Sequence, residues 1–150
     1  MSWSLRIHNG DLDFNGSSFA IVTGPNKLVQ DLKCWILEPR GDDPMHPDYG
    51  SLLDGGMLLD RTMINSMLGQ PISSIALVTI EAELRRILAG YQAQQQDRIS
   101  RDSVRYGKNT MSPGEILLSI EKIELSPVAD TVFASIFIKT ASGDSITFTI

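Results

Sequence analysis

The residues best equipped for chemistry lie together in one acidic stretch, Arg40-Gly41-Asp42-Asp43-Pro44-Met45-His46-Pro47-Asp48-Tyr49-Gly50-Ser51. With Glu38 just before it, the stretch supplies carboxylates of the kind that divide acid and base roles in glycoside hydrolysis. That chemistry needs one acid with a raised pKa beside an ionised partner, in a dry pocket and at a defined separation. Carboxylates set among glycines, prolines and other charges do not meet those terms. The same residues have positional uses instead. Gly41 and Gly50 permit unusual φ, Pro44 and Pro47 stiffen the path, Asp48 is placed to cap the next element, and Tyr49 is placed to plug the core. The expectation is therefore a rigid structural loop built on Arg40, Gly41, Pro44, Pro47, Asp48, Tyr49 and Gly50.

Elsewhere the reactive residue types are sparse. His8 and His46 are the only histidines, too few for a usual zinc triad. Cys34 is the single cysteine, beside Trp35 and with no cation nearer in sequence than Lys33, so it reads as a packed or half-exposed thiol rather than a nucleophile. A phosphate-cradling glycine motif and a Gly-x-Ser-x-Gly elbow are both absent. No cofactor and no metal are expected. Arg98, Arg101 and Arg105 recur at i, i+3 and i+7, which a continuous helix would align on one face, with Lys108 a turn further on. Such a row is either a solvated face diluted by Asp97 and Asp102, or a docking strip for an acidic protein surface through guanidinium contacts.

The chain that positions these groups has 150 residues, 42% of them apolar, which suits one domain spanning 1–150 with one core. Eighteen acidic against 13 basic residues give a net charge of −5, which disfavours a sequence-independent grip on nucleic acid or on anionic lipid. Residues 1–75 hold 5 basic and 9 acidic side chains, residues 76–150 hold 8 and 9. One cysteine excludes an internal disulfide framework. The start, Met1-Ser2-Trp3-Ser4-Leu5-Arg6, lacks the apolar run of a secretory signal, and no stretch approaches the roughly 18 apolar residues of a membrane span. A soluble protein made in a cytoplasm is expected.

The pattern of apolar residues predicts an α+β fold, with helices on one face of a small C-terminal antiparallel sheet and a short N-terminal hairpin. No internal repeat is apparent. Asp11–Phe14 and Ser18–Val22 flank Asn15-Gly16, a hairpin turn signal. Thr23-Gly24-Pro25 starts a helix whose stripe is Leu28, Val29, Leu32, Trp35 and Ile36, with Lys27, Gln30, Asp31 and Lys33 facing away and Pro39 ending it. From Glu38 to Tyr49 a loop is expected. A second helix is predicted over Leu59 to Leu68, and a longer third from Pro71 or Ser73, with a seam of Leu77, Ile80, Leu84, Ile87, Leu88 and Tyr91 and a Glu81–Arg85 pair outside. Gln92 to Gln96 reads as an exposed helix end.

After Pro113 the period becomes two. Ile116, Leu118 and Ile120 alternate, then Ile123 and Leu125 in the opposite phase, which implies a bulge near Glu121-Lys122. Ser126 to Asp130 turns the chain, and Val132, Ala134, Ile136 and Ile138 alternate next. Ser142-Gly143-Asp144 turns it again, and Ile146, Phe148 and Ile150 close a three-stranded meander. If the last strand lies at an edge, its outward backbone groups are available to another chain, and Thr147 and Thr149 blunt that edge only weakly.

The frame Arg40-Gly41-x-x-Pro44-x-x-Pro47-x-x-Gly50, with an amphipathic helix before it, a long helix after it and a closing antiparallel sheet, resembles the sheath-initiator family of baseplate wedge proteins of contractile phage tails. That family formerly went under the name of baseplate lysozyme, and its relatives occur in contractile bacteriocins and type VI secretion baseplates. The resemblance runs from about Phe19 to Ile150. It implies a structural virion protein of the tail baseplate, made in the host bacterial cytoplasm and without catalysis. The implied partners are baseplate wedge proteins, the tail sheath protein and tube or hub proteins, with no nucleic acid and no membrane.

By the same resemblance, the sheet from Thr131 to Thr140 with Ser145, Ile146, Thr147, Phe148, Thr149 and Ile150 would exchange a strand with the first sheath ring. The family's Glu-Pro-Arg motif after its long helix contacts the wedge core. Glu38-Pro39-Arg40 occupies a different place, and at the matching place stands a longer helix end that lacks the motif's glutamate and proline, where Arg98 would stand in for the motif arginine and Arg101 and Arg105 follow. Deleting Ser145 to Ile150 would then leave a folded protein that joins baseplates but starts no sheath. The alternatives are a peptidoglycan hydrolase using the acidic loop, and a soluble protein-binding adaptor of the same fold.

Overall fold

Backbone chemistry sets the first feature of the chain. In the computed structural model, which describes residues 2–57, 63–67 and 69–150, residues 4–22 form three bent strands, each broken at its centre. β1 (Ser4–Leu5) and β2 (Ile7–His8) flank Arg6, β3 (Asp11–Leu12) and β4 (Phe14–Asn15) flank Asp13, and β5 (Ser18–Phe19) and β6 (Ile21–Val22) flank Ala20. β2 pairs with β3, β4 with β5, and β6 returns to β1, so the three strands close into a pinwheel. At its hub the Arg6 N–H donates to the Ala20 carbonyl (2.8 Å), the Ala20 N–H to Asp13 (2.9 Å) and the Asp13 N–H to Arg6 (2.9 Å). Arg6 and Asp13 also form an ion pair.

This arrangement corrects two expectations. A seven-residue structural repeat exists, with hubs at positions 6, 13 and 20, and the single hairpin is one of two. The first turns at Asn9-Gly10, both residues at positive φ (52° and 82°), which suits the two-residue turn that matches strand twist. The second turns at Gly16-Ser17 rather than Asn15-Gly16, because Asn15 pairs with Ser18.

α1 (Gly24–Leu37) begins and ends as expected, with Thr23 as N-cap, Pro25 in the first turn and Glu38 leaving helical space before Pro39. Leu28, Leu32 and Ile36 are buried in the core. Its polar side does not face away. Lys27 is buried and paired with Asp31, and the Gln30 amide accepts from the Ile7 N–H (2.9 Å) and donates to the Leu5 carbonyl (2.8 Å), fastening the pinwheel to the helix.

β7 (Pro39–Arg40) runs parallel to β8 (Ser51–Met57), which pairs with β9 (Met63–Ile64). The helix expected over Leu59 to Leu68 is therefore overturned at Met63–Ile64. Leu59 and Leu68 lie outside the described residues. Gly55 and Gly56 permit this pairing, since each sits at positive φ with backbone of Ile64 or Arg40 where a Cβ would stand.

α2 (Ser74–Tyr106) is capped by Ser73, whose side chain accepts from the Ala76 N–H, and it ends at Gly107 with φ 66°. Leu84, Ile87, Leu88 and Tyr91 are buried, with Ile80 packed alongside. Glu81 pairs with Arg85 at 2.9 Å. The glutamine tract is not an exposed end. Gln95 is buried, donates to the Glu115 carbonyl (2.7 Å) and accepts from the Leu117 N–H (2.9 Å), while Gln92 donates to the Leu118 carbonyl. These amides satisfy backbone groups where the last sheet begins.

That sheet comprises β10 (Leu117–Val128), β11 (Thr131–Thr140) and β12 (Ser145–Thr149) in the order β10-β11-β12, all antiparallel. The bulge at Glu121 is present, and a second register shift at Leu118 was unforeseen. The second shift reverses the expected phase at the strand start, so Leu117 is buried and Leu118 exposed. The turn is also tighter than expected. β10 extends through Val128, and only Ala129 and Asp130 turn the chain. The α+β class holds, with two long helices and one core shared by α1, α2 and the inner face of this sheet.

Glu115 ties the pieces together. It accepts from the Ser2 hydroxyl, the Gly24 N–H at the start of α1 and the Ser112 N–H. Burial opposes its charge, but these hydrogen bonds outweigh that and hold its carboxyl below the usual range. A lowered folded pKa stabilises above the unfolded value and is lost as pH falls through the folded one. Glu115→Gln is expected to cost about 1–3 kcal/mol at neutral pH. The gap to the parent protein should close in acid, as followed by urea denaturation at several pH values.

Candidate functional site

The hydrogen-bond alternation of β12 follows from one pair. The Ala134 N–H donates to the Ile150 carbonyl (3.0 Å) and the Ile150 N–H to the Ala134 carbonyl (3.1 Å). In an antiparallel ladder such pairs alternate, so Ile136 with Phe148 and Ile138 with Ile146 are also hydrogen-bonded pairs. Ser145, Thr147 and Thr149 therefore direct their N–H and C=O groups away from β11. Among the described residues no strand pairs with that outer side of β12.

Side chains alternate in the same register. Phe148 is buried, Ile146 and Ile150 pack against the core, and Ser145, Thr147 and Thr149 are exposed. The segment is thus part of the core as well as an edge. Deleting Ser145 to Ile150 would remove a buried aromatic and one flank of β11, so the expectation that the truncated chain stays folded does not survive.

The two outer edges of the sheet are not equivalent. β10 carries a bulge, the Lys122–Glu124 ion pair and Pro127, devices that discourage pairing, and α2 covers its start through Gln92 and Gln95. β12 carries none of them.

The arginine row lies where a continued helix puts it. Arg98, Arg101 and Arg105 are all in α2, and all three line one groove of about 1130 Å³ between α2, α1 and the pinwheel. Two of them already have company, Arg101 in an ion pair with Asp97 and Arg105 with its guanidinium 5.4 Å from the Tyr106 ring centre. Arg98 stands near the Tyr91 hydroxyl, which burial and then Asp31 hold far above the usual phenol range. The lining carries Lys27 and the three arginines against Asp31 and Asp102, a positive surplus on an acidic protein.

The acidic loop is pinned rather than poised. Arg40 pairs with Asp48 at 2.9 Å, so Asp48 holds a guanidinium and does not cap a helix. Asp43 accepts from the Met45 N–H and contacts the His46 ring at 2.7 Å. The His46 contact holds the Asp43 carboxyl below its ordinary range, opposite to what a general acid requires. Tyr49 packs edge-on against Trp35, which meets Tyr91 in the same way, and burial first, with nearby charges, pushes the Tyr49 hydroxyl up to about 12. Burial would raise Glu83, but its bonds to Arg86 and to the Leu52 N–H lower it, and Arg86 reaches the Gly50 carbonyl (3.2 Å). Gly41, Pro44 and Pro47 shape the turns between these anchors.

Among the described residues no group of three or more His, Cys, Asp or Glu converges as metal ligands do, and no helix is long and apolar enough to cross a membrane. Burial, then Asp31 and Glu38, push the half-buried Cys34 thiol up, away from thiolate character. No protein-family model, curated protein or solved structure compared with this chain matches it.

Two of the features that sequence reasoning missed carried a signal. Gln95 was hidden inside a polar tract whose helical phase places it on the Leu84–Leu88–Tyr91 side. The pinwheel was signalled by Asn9-Gly10 and by the recurrence of apolar-x-apolar at Leu5-Arg6-Ile7, Leu12-Asp13-Phe14 and Phe19-Ala20-Ile21.

Proposed function

We propose that this protein is a structural subunit of a contractile-tail baseplate that seats on wedge proteins and templates the sheath by accepting or exchanging a strand at β12. The observation that carries the reading is the unpaired outer side of Ser145, Thr147 and Thr149. Each residue offers one donor and one acceptor, so an incoming strand finds up to six main-chain hydrogen bonds, each worth about 1 kcal/mol net. Main-chain pairing of this kind gives affinity, and alternate side chains against the inner face give selection.

Three further points support it. The opposite edge is protected, so addition is directed to one side. The Arg40–Gly50 frame, on which the resemblance to the sheath-initiator family rests, serves as a rigid brace between α1, β8 and α2. The groove lined by Arg98, Arg101 and Arg105 presents guanidinium groups to a wedge partner.

Electron microscopy of tails containing this chain tests the reading. The expected map has β12 hydrogen-bonded to a strand of the lowest sheath ring, with the arginine groove against a wedge subunit. A map in which the chain makes no contact with sheath would overturn it.

A further inference from the structure

The pinwheel has an apolar face. Within each bent strand, the residues on either side of the hub point opposite to the hub residue, because strand side chains alternate. Those flanking residues are Leu5 and Ile7, Leu12 and Phe14, and Phe19 and Ile21. They also stand opposite one another in register, as Leu5–Ile21, Ile7–Leu12 and Phe14–Phe19. All six therefore share one side of the module. They are between 37% and 61% exposed, the two phenylalanine rings touch with centres 4.8 Å apart, and Trp3, 63% exposed, continues the same alternation.

Half-exposed side chains of these types contribute on the order of 100 Å² each, so the face offers roughly 600–700 Å² of apolar surface. That is at or above the largest patch a solitary soluble protein usually presents, and close to the ~800 Å² one partner contributes to a stable interface. The six side chains carry no formal charge. The module's Arg6 is paired with Asp13, which leaves Asp11, opposite His8, as its carboxylate without an ion pair among the described residues, in a chain whose net charge is −5. The six side chains therefore add no charge of their own where two acidic copies would meet, and only Leu5 and Ile7 also border the groove lined by Arg98, Arg101 and Arg105.

We propose that the occupant of this face is a second copy of the chain, the two pinwheels packing apolar side to apolar side about a two-fold axis. Such an interface is isologous, and an uncharged surface with three equivalent apolar pairs is complementary to itself. The inference is independent of the strand-exchange reading, because β12 takes no part in it.

Sedimentation velocity and light scattering on the purified full chain across the micromolar range provide the test. The expected result is a concentration-dependent dimer whose dissociation constant rises by about 30-fold or more in Phe14→Glu and in Phe19→Glu. These positions are exposed, so the variants should keep the circular dichroism of the parent. Thr147→Pro, which alters the β12 edge, should leave the dimer intact. A chain that stays monomeric at every concentration would overturn the proposal. So would a dimer that persists in both glutamate variants, or one that disappears with Thr147→Pro and is therefore built on the strand edge.

Discussion

Thr147→Pro should leave the monomer folded and abolish its joining to a neighbouring strand. The Thr147 N–H points away from β11, so proline removes a donor that the monomer does not use and sets its ring on the docking side. The cost to the isolated protein should not exceed about 1–2 kcal/mol, the strain of fixing φ in an extended strand. Under the assembly reading, tails carrying the variant have baseplates but no sheath, as scored by negative-stain microscopy. Ile146→Pro is the matched control. Its N–H bonds to Ile138 within the monomer, so the same substitution one residue earlier should damage the fold itself. If Thr147→Pro tails grow normal sheaths, the free edge has no part in assembly.

Gly50→Ala should be among the most damaging single substitutions outside the core. Gly50 adopts φ +94°, and a Cβ there would lie 2.6 Å from the Glu38 carbonyl oxygen and 3.0 Å from the Arg40 nitrogen, both backbone atoms that cannot step aside. The Ser51 N–H bonds to that same Glu38 carbonyl at 2.7 Å, so displacing it also loosens the entry to β8. Left-handed strain and overpacking each cost about 1–3 kcal/mol, which together place the loss at about 3 kcal/mol or more. For a chain of this length that corresponds to a fall in Tm of roughly 10 °C. Gly16→Ala provides the comparison. Its φ is +67° but nothing stands within 4 Å of the added atom, so thermal denaturation should show a loss of only about 1 kcal/mol.

How far the fold was legible depends on how local its causes are. α1 could be read to the residue because Thr23, Pro25 and Pro39 act on neighbouring backbone. The meander could be read because Ile136, Ile138, Ile146 and Phe148 alternate against a single core, and Glu121 breaks that alternation where the bulge occurs. The edge position of β12 followed from chain order. The two turns at Gly16-Ser17 and Ala129-Asp130 were misplaced by a residue or more, and the larger failures are non-local. Met63 and Ile64 fit a helical stripe, but pairing with Gly56 and Met57 makes them a strand. Gln95 looked solvated because its partners, Glu115 and Leu117, lie more than a helix turn beyond it in sequence. Leu118 follows the simple alternation, and only the extra register shift turns it outward. The pinwheel hub joins positions 6, 13 and 20 through backbone groups, so Asn9-Gly10 and the apolar-x-apolar recurrence mark its strands but not their closure. The arginine row was legible as a row, while the groove it lines required α1 and the pinwheel to be in place.

The central claim is that alternate residues of β12 hydrogen-bond outward to nothing until another chain arrives. Residue-resolved amide hydrogen exchange addresses it directly. In the isolated protein, the amides of Ser145, Thr147 and Thr149 should exchange rapidly while those of Ile146, Phe148 and Ile150 are protected, and in assembled tails all six should be protected. Slow exchange at Thr147 in the isolated chain, or fast exchange there in the assembled particle, would contradict the account.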